Sequence, residues 1–430
     1  MQQTLEKIGK QVFYKRLQQK MTQEELCQGI CSVSYLSKIE NGKIEASEEI
    51  LQLLCARLEI AVTDLRDVEE DVKGKLDEWL NALVHLDKQQ VERIYEELQG
   101  EMKHVLDFEI INYYKLLYTR YLIMKRDISA LEEELDKLKK VYKKYSPFQK
   151  LLYMYSRGLL CCLQYRWKDG LDYLLKTEVM AKEQGYHETG LYYNIALAYT
   201  HLDIHHLAIH FVNMALEGFR SEYKFRNIIN CQILIAVSYT EKGQYEEALK
   251  MYESILREAT SFADKDVLLA ITLSNMGSIY YKKGKYQQAK KYYLDSLQLQ
   301  KQIDLNYLDT IYEMALVCIK LEELEEARTL IDKGIDAAKQ EERFNAKLYL
   351  LLMLRYKYFE EAKDYKAFLE NEAIPLYKSA GNKIELKKVY VELAEHFSSL
   401  SRFEESNRYY RLVIDLMNDN KTCGSMSTEK

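Results

Sequence analysis

The sequence predicts an all-α protein: a small N-terminal helical module followed by a long array of helix pairs. Three observations predict it. Only 16 Gly and 2 Pro punctuate 430 residues, too few for the chain reversals of a sandwich, barrel or α/β sheet. In the first 66 residues, apolar side chains recur at helical spacing behind capping residues. Beyond residue 72, a small-aromatic-small pattern returns every 38–41 residues.

Composition sets the limits. Hydrophobic residues make up 47% and charged residues 30%, as in a soluble chain with a large core. No run of 18 apolar residues predicts a transmembrane helix. Residues 1–7 lack the apolar stretch of a signal peptide, so a cytoplasmic location without membrane contact is expected. Eight Cys lie at 27, 31, 55, 161, 162, 231, 318 and 423, none in a C-x-x-C pair; buried reduced thiols are expected. A net charge of −6 argues against nucleic-acid binding over the whole surface, while leaving room for one small DNA-reading module.

The N-terminal module, residues 1–66, reads as five short amphipathic helices, the fifth near residues 62–71. Ile8, Val12, Phe13 and Leu17 form the apolar face of the first. Thr22 caps the second, and Glu25 three residues on completes a capping box; Leu26 and Ile30 face inward. Ser32 caps the third, with Leu36 and Ile39 inward, and Asn41-Gly42 ends it with residues that tolerate positive φ. Ser47 caps the fourth, striped by Ile50, Leu51, Leu54 and Leu58.

The array occupies residues 72–418, after a short linker at 67–71 and before a disordered tail at 419–430. Its clearest copies are Ala196/Tyr199/Ala208, Ala236/Tyr239/Ala248, Gly277/Tyr280/Ala289 and Ala315/Cys318/Ala327. Weaker copies anchor at Trp79, Tyr118, Gly158, Leu354 and Ala394. This is the tetratricopeptide pattern: a small residue where helices cross, an aromatic in the groove, a small residue on the second helix. About nine pairs in a right-handed superhelix with a concave inner face follow. The repeat absorbs much of the 36-Tyr excess, with Tyr199, Tyr239, Tyr252, Tyr280 and Tyr293 expected in the core. In the first helix of such a pair, positions 2, 5, 6 and 9 face the groove. Position 2 gives Asn112 and Asn230, and position 6 gives Asn194 and Asn275. Carboxamides suit the exposed N–H and C=O groups of an extended peptide. Position 5 gives Tyr155, Tyr193 and Tyr312 as walls for apolar side chains, and Arg126 is a candidate for a ligand carboxylate.

The module resembles the helix-turn-helix of the lambda-repressor-like class, through Thr22-Gln23-Glu24-Glu25-Leu26 and Leu36-Ser37-Lys38-Ile39-Glu40-Asn41-Gly42. The turn Gly29-Ile30-Cys31 is one residue shorter than the commonest form. The resemblance implies that the helix from Ser32 enters the major groove of an operator, with Val33, Ser34, Ser37 and Lys38 toward base edges. Gln23 is then expected on a phosphate, and Asn41 and Lys43 on the backbone. Charge adds little: residues 1–66 carry nine Lys/Arg and nine Asp/Glu. Two copies on one site, and so a homodimer or higher homo-oligomer, are implied.

The whole chain resembles the peptide-responsive quorum-sensing regulators of Gram-positive bacteria, which join such a module to tetratricopeptide repeats. The stretch from Gly29 to Gly42, short turn included, looks like theirs in detail. The resemblance implies a short re-imported signalling peptide on the concave face that switches oligomeric state and DNA binding. It equally implies an alternative, an adaptor that sequesters a response regulator. No nucleotide loop or hydrolase motif is present, so neither enzyme activity nor a cofactor is expected. His201, His205, His206 and His210 span a turn and read as a solvated polar corner, with no metal site expected.

Overall fold

The computed structural model describes residues 12–421, apart from positions 14, 18, 42, 45, 60–63, 106, 263, 342–343 and 380–381. Among the described residues every regular element is helical. Gly42, Cys423 and most of the expected tail lie outside them.

The three capped helices of the N-terminal module form where their caps predict. Thr22 Oγ1 accepts from the Glu25 N–H at 3.1 Å while Glu25 accepts from the Thr22 N–H at 2.7 Å, opening the helix Gln23–Cys27. Ser32 opens Val33–Glu40 and Ser47 opens Glu48–Arg57. Val12, Leu26, Leu36, Ile39, Leu51, Leu54 and Leu58 form one core, with Ile30 and Ile50 packed at its edge. The helix Val33–Glu40 ends at Asn41, as expected. One expectation fails here: Leu17 is 47% exposed and is not part of the buried face.

One helix, Asp64–His85, runs unbroken through the segment read as a linker. It is the first helix of the first of nine pairs. The pairs run in order to Phe403–Lys421, each first helix carrying one predicted anchor. The second helix of the eighth pair, residues 362–379, contains a π-turn at Leu369–Ala373. Pro375 explains the widening, since it has no N–H to donate and its ring would clash with the carbonyl four residues back.

Eight of the nine pairs among the described residues share one turn device; the eighth pair, which turns through Glu360 and Glu361 at negative φ, does not. A residue in the left-handed region recurs at Leu86, Arg126, Tyr165, Asp203, Gly243, Gly284, Glu322 and Ser401. Only the two glycines adopt it without steric cost. Between helices, small anchors admit large rings: Ala196, Ala236, Ala289 and Ala315 are fully buried, as are Tyr252 and Tyr293. Tyr199 is buried, and Tyr239 and Tyr280 pack against the same cores. Cys27, Cys55, Cys161, Cys231 and Cys318 are buried free thiols, whereas Cys31 and Cys162 are half-exposed.

The chain divides into two compact units, residues 1–160 with 175–187, and residues 161–174 with 188–430. The division falls within the third helix pair.

Candidate functional site

Two regions bring chemistry-bearing residues together: the helix Val33–Glu40 in the first unit and a cavity in the second.

At the first, a buried carboxylate organises three helical segments. Glu40, 5% exposed, receives Arg16 Nε at 2.7 Å and Nη2 at 3.1 Å. Arg16 Nη1 also donates to the Met21 carbonyl at 2.8 Å. Gln23 Nε2 donates to Glu40 Oε2 at 2.6 Å. The carboxamide of Gln23 therefore faces inward as a brace, correcting its expected place on a phosphate: a buried carboxylate needs several donors, and Gln23 is one. Arg57 Nη1 donates to the Leu26 carbonyl at 3.0 Å, closing the end of the helix Gln23–Cys27.

What remains outward is a compact face. Val33 is 38% exposed, and Ser34, Lys38 and Lys43 are exposed. Ser32 uses its Oγ to accept from the Tyr35 N–H at 3.2 Å, so it is chiefly a cap. Asn41 Nδ2 donates to the Ser37 carbonyl at 2.6 Å, which holds both residues in local bonds. An apolar group, hydroxyls and an ammonium at the first turns of an exposed helix are a set that reads base edges.

The expected peptide residues divide sharply. Asn112 and Tyr155 are 3% and 1% exposed. Tyr155 lies 4.4 Å beneath the Arg120 guanidinium, inside the first unit's core. Both are thus corrected from groove to core: Asn112 lies on the buried face of its helix with Ile110, Tyr113 and Leu116, and Tyr155 packs under the Arg120 guanidinium. Arg126 is exposed at a left-handed turn residue. Asn230 accepts from Arg226 Nη1, and Arg226 Nε donates to Asp264 at 2.8 Å, so that carboxamide belongs to a surface network. Asn194, Tyr193, Asn275 and Tyr312 are half-buried on first helices of the second unit. Burial pushes the Tyr193 hydroxyl up to about 12.

Tyr312 lines a cavity of about 750 Å³ in the second unit. One wall is the turn at 202–206; the other comes from the first helices of the last three pairs and the final helix. Leu350, Met353, Val391 and Leu416 make apolar surface, and Lys383, Lys387, Lys388 and Glu392 supply charge. Glu313, next to Tyr312 in sequence, has its carboxyl pushed above its ordinary range by burial. The sequence reading omitted these residues although the signal was present: counted back from Ala394, positions 2, 5 and 6 are Lys388, Val391 and Glu392.

The histidine corner is also corrected. His201 stacks on Trp167, with centroids 3.8 Å apart and planes 7° from parallel. Burial, then the nearby charge of Lys347, pushes it down to about 4. Only His206 and His210 are exposed. One group among the described residues has metal-ligand spacing, Cys318 with Glu323 and Glu326. The Lys290 ammonium lies 2.6 Å from each carboxylate and balances their charge.

Comparison with known proteins identifies the two domain types and the family. Residues 13–65 match the helix-turn-helix family, and residues 227–302 and 268–340 match the tetratricopeptide repeat. A solved structure of NprR in complex with its cognate peptide NprX is 96% identical, covering 82% of this chain and all of that one, with a TM-score of 0.74. The chain belongs to the NprR family of quorum sensors. The apo form of NprR from B. thuringiensis is 99% identical with the same coverage and a TM-score of 0.67. The transcriptional activator NprA of Geobacillus stearothermophilus is 26% identical over 398 residues, 90% of this chain and 96% of NprA. Membership in the NprR family makes the chain a quorum-sensing transcriptional regulator. No helix among the described residues is long and apolar enough to cross a membrane.

Proposed function

We propose that residues 1–66 bind a double-stranded DNA operator through Val33, Ser34 and Lys38, and that residues 72–418 bind a short signalling peptide that switches that binding. Ser37, Asn41 and Lys43 flank the reading surface, and Gln23 sets its angle through Glu40. The helix Asp64–His85 continues across the expected linker at 67–71. The peptide lies against the half-buried first-helix residues of the second unit, where Asn194 and Asn275 offer donors and acceptors to its backbone and Tyr193 and Tyr312 wall its apolar side chains. The observation that carries this reading is the cavity beside Tyr312, lined by both charged and apolar side chains, in a chain 96% identical to a protein solved with its peptide. The relative NprA is named a transcriptional activator, and neither catalysis nor a cofactor enters this reading.

The test is a pair of titrations on the full chain. Asn194→Ala and Asn275→Ala are expected to weaken NprX binding about 5- to 150-fold each, the effect of about 1–3 kcal/mol for an unsatisfied amide. Ser34→Ala with Lys38→Ala is expected to abolish operator footprinting with unchanged melting. Full peptide affinity in both Asn variants would move the ligand elsewhere.

A further inference from the structure

We infer that the wall formed by the first turns of the helix Lys383–Ser399 is a carboxylate subsite, with Lys387 as its anchor; the inference rests on the reading of this cavity as the peptide site. Three lysines, Lys383, Lys387 and Lys388, line one wall. They stand in the first two turns of their helix, where the backbone already presents partial positive charge. Cations at that end oppose the helix dipole; Glu385 in the same turn answers Lys388 and leaves Lys387 without a carboxylate.

The cavity's own acids do not supply it. Glu392 is engaged from behind: Lys357 Nζ lies 2.6 and 2.8 Å from its two oxygens, and the Tyr365 hydroxyl donates at 2.8 Å. Lys388 is spent on Glu385 at 3.0 Å. Asp203 is exposed in the turn that forms the opposite wall. Lys387 is half-buried, and no carboxylate pairs with it among the described residues. Leu350, Met353, Val391 and Leu416 complete its surroundings. An ammonium beside apolar walls gives up water without a compensating partner. A ligand carboxylate restores the balance, and as a point charge with three donors Lys accepts it from a range of directions. The apolar side chain next to that carboxylate fills the rest of the cavity. The carboxylate is either the peptide's C-terminus or an acidic side chain, and the chemistry of recognition is the same.

The experiment is a double-mutant cycle on the full-length protein, read by fluorescence anisotropy with N-terminally labelled NprX. The peptide is used as the free acid, as the C-terminal amide, and with any Asp or Glu replaced by Asn or Gln. On wild type, one neutralised form is expected to bind about 10- to 100-fold more weakly, and which form it is identifies the source. Lys387→Met is expected to lose the same factor with the free acid and almost nothing more with that neutralised form. Lys387→Arg is expected to stay within about fivefold of wild type. Equal melting temperatures confirm that the variants are folded. The subsite is overturned, with the peptide reading intact, if Lys387→Met binds the free acid as tightly as wild type, if it weakens charged and neutral peptides alike, or if no neutralised peptide binds more weakly to wild type. Absence of any NprX binding to the wild-type protein overturns both.

Discussion

Glu40 sits in the core of the N-terminal module with two donors from Arg16 and one from Gln23. Removing one partner of a buried pair leaves an uncompensated charge, at about 3–5 kcal/mol. That is comparable to the whole stability of so small a module. Arg16→Met is therefore expected to unfold residues 12–59, seen as lost hydrogen-exchange protection there, while the repeats stay protected. Arg16→Met combined with Glu40→Leu is expected to recover much of the loss, because it removes the buried charge as well. His201 offers a second residue-scale test. Its folded value of about 4 lies below the ordinary 6.5. The unfolded chain thus binds more protons between those values, and stability rises with pH across the window. The His201 contribution is fully present above about 6.5 and lost as pH falls toward 4. Melting temperatures at pH 7 and pH 5 are expected to differ more for wild type than for His201→Phe, which keeps the stack on Trp167 without the titration. The sequence hid both features. Glu40 and Gln23 are 17 positions apart, and Trp167 and His201 are 34 apart, so only the tertiary fold pairs them.

At the scale of elements, the nine helix pairs were legible because each must bury one face against its neighbour, which imposes small and aromatic residues at fixed offsets. Gly277 shows the cost of breaking that rule. An added Cβ would lie 2.8 Å from Tyr293 Cε1, and that ring is fully buried. Helix propensity favours Ala over Gly by about 1 kcal/mol, but overpacking a closed core costs about 1–3 kcal/mol. The steric term wins: Gly277→Ala is expected to lower the melting temperature of the repeats, and Tyr293→Phe is expected not to rescue it, since the ring remains. Less legible were the turns. Two glycines mark two of them, but Leu86, Arg126, Tyr165, Asp203, Glu322 and Ser401 take the same left-handed backbone with side chains that give no signal. The offsets that found the core also misplaced Asn112 and Tyr155. A fixed list of groove positions treats every pair alike, whereas in the helices Phe108–Lys125 and Pro147–Leu163 those positions pack into the core of the first unit. The linker failed for a related reason: residues 67–71 are charged and lack apolar spacing, yet nothing in them breaks a helix, and Asp64–His85 passes through.

For the whole molecule, the governing quantity is charge. The chain carries −6 overall, and its first 66 residues balance nine basic against nine acidic groups. Phosphate neutralisation supplies much of the affinity of any DNA-binding protein, so one such module on one half-site holds DNA weakly. Burial of Arg16 against Glu40 makes the deficit worse, because that guanidinium is spent inside the module. We propose that specific binding comes from two modules held at a fixed spacing by an oligomer of the full chain. An operator with one half-site scrambled is expected to bind at least about tenfold more weakly than the intact operator at one stated salt concentration, because a half-site's base contacts are lost. Inserting five base pairs between half-sites is expected to do the same, since it turns the second site to the opposite face of the duplex. Both comparisons are read by gel shift across protein concentration, with native mass spectrometry reporting the number of chains per duplex. One chain per duplex with undiminished affinity for the scrambled operator would show that a single module suffices and that the repeats do not organise DNA binding.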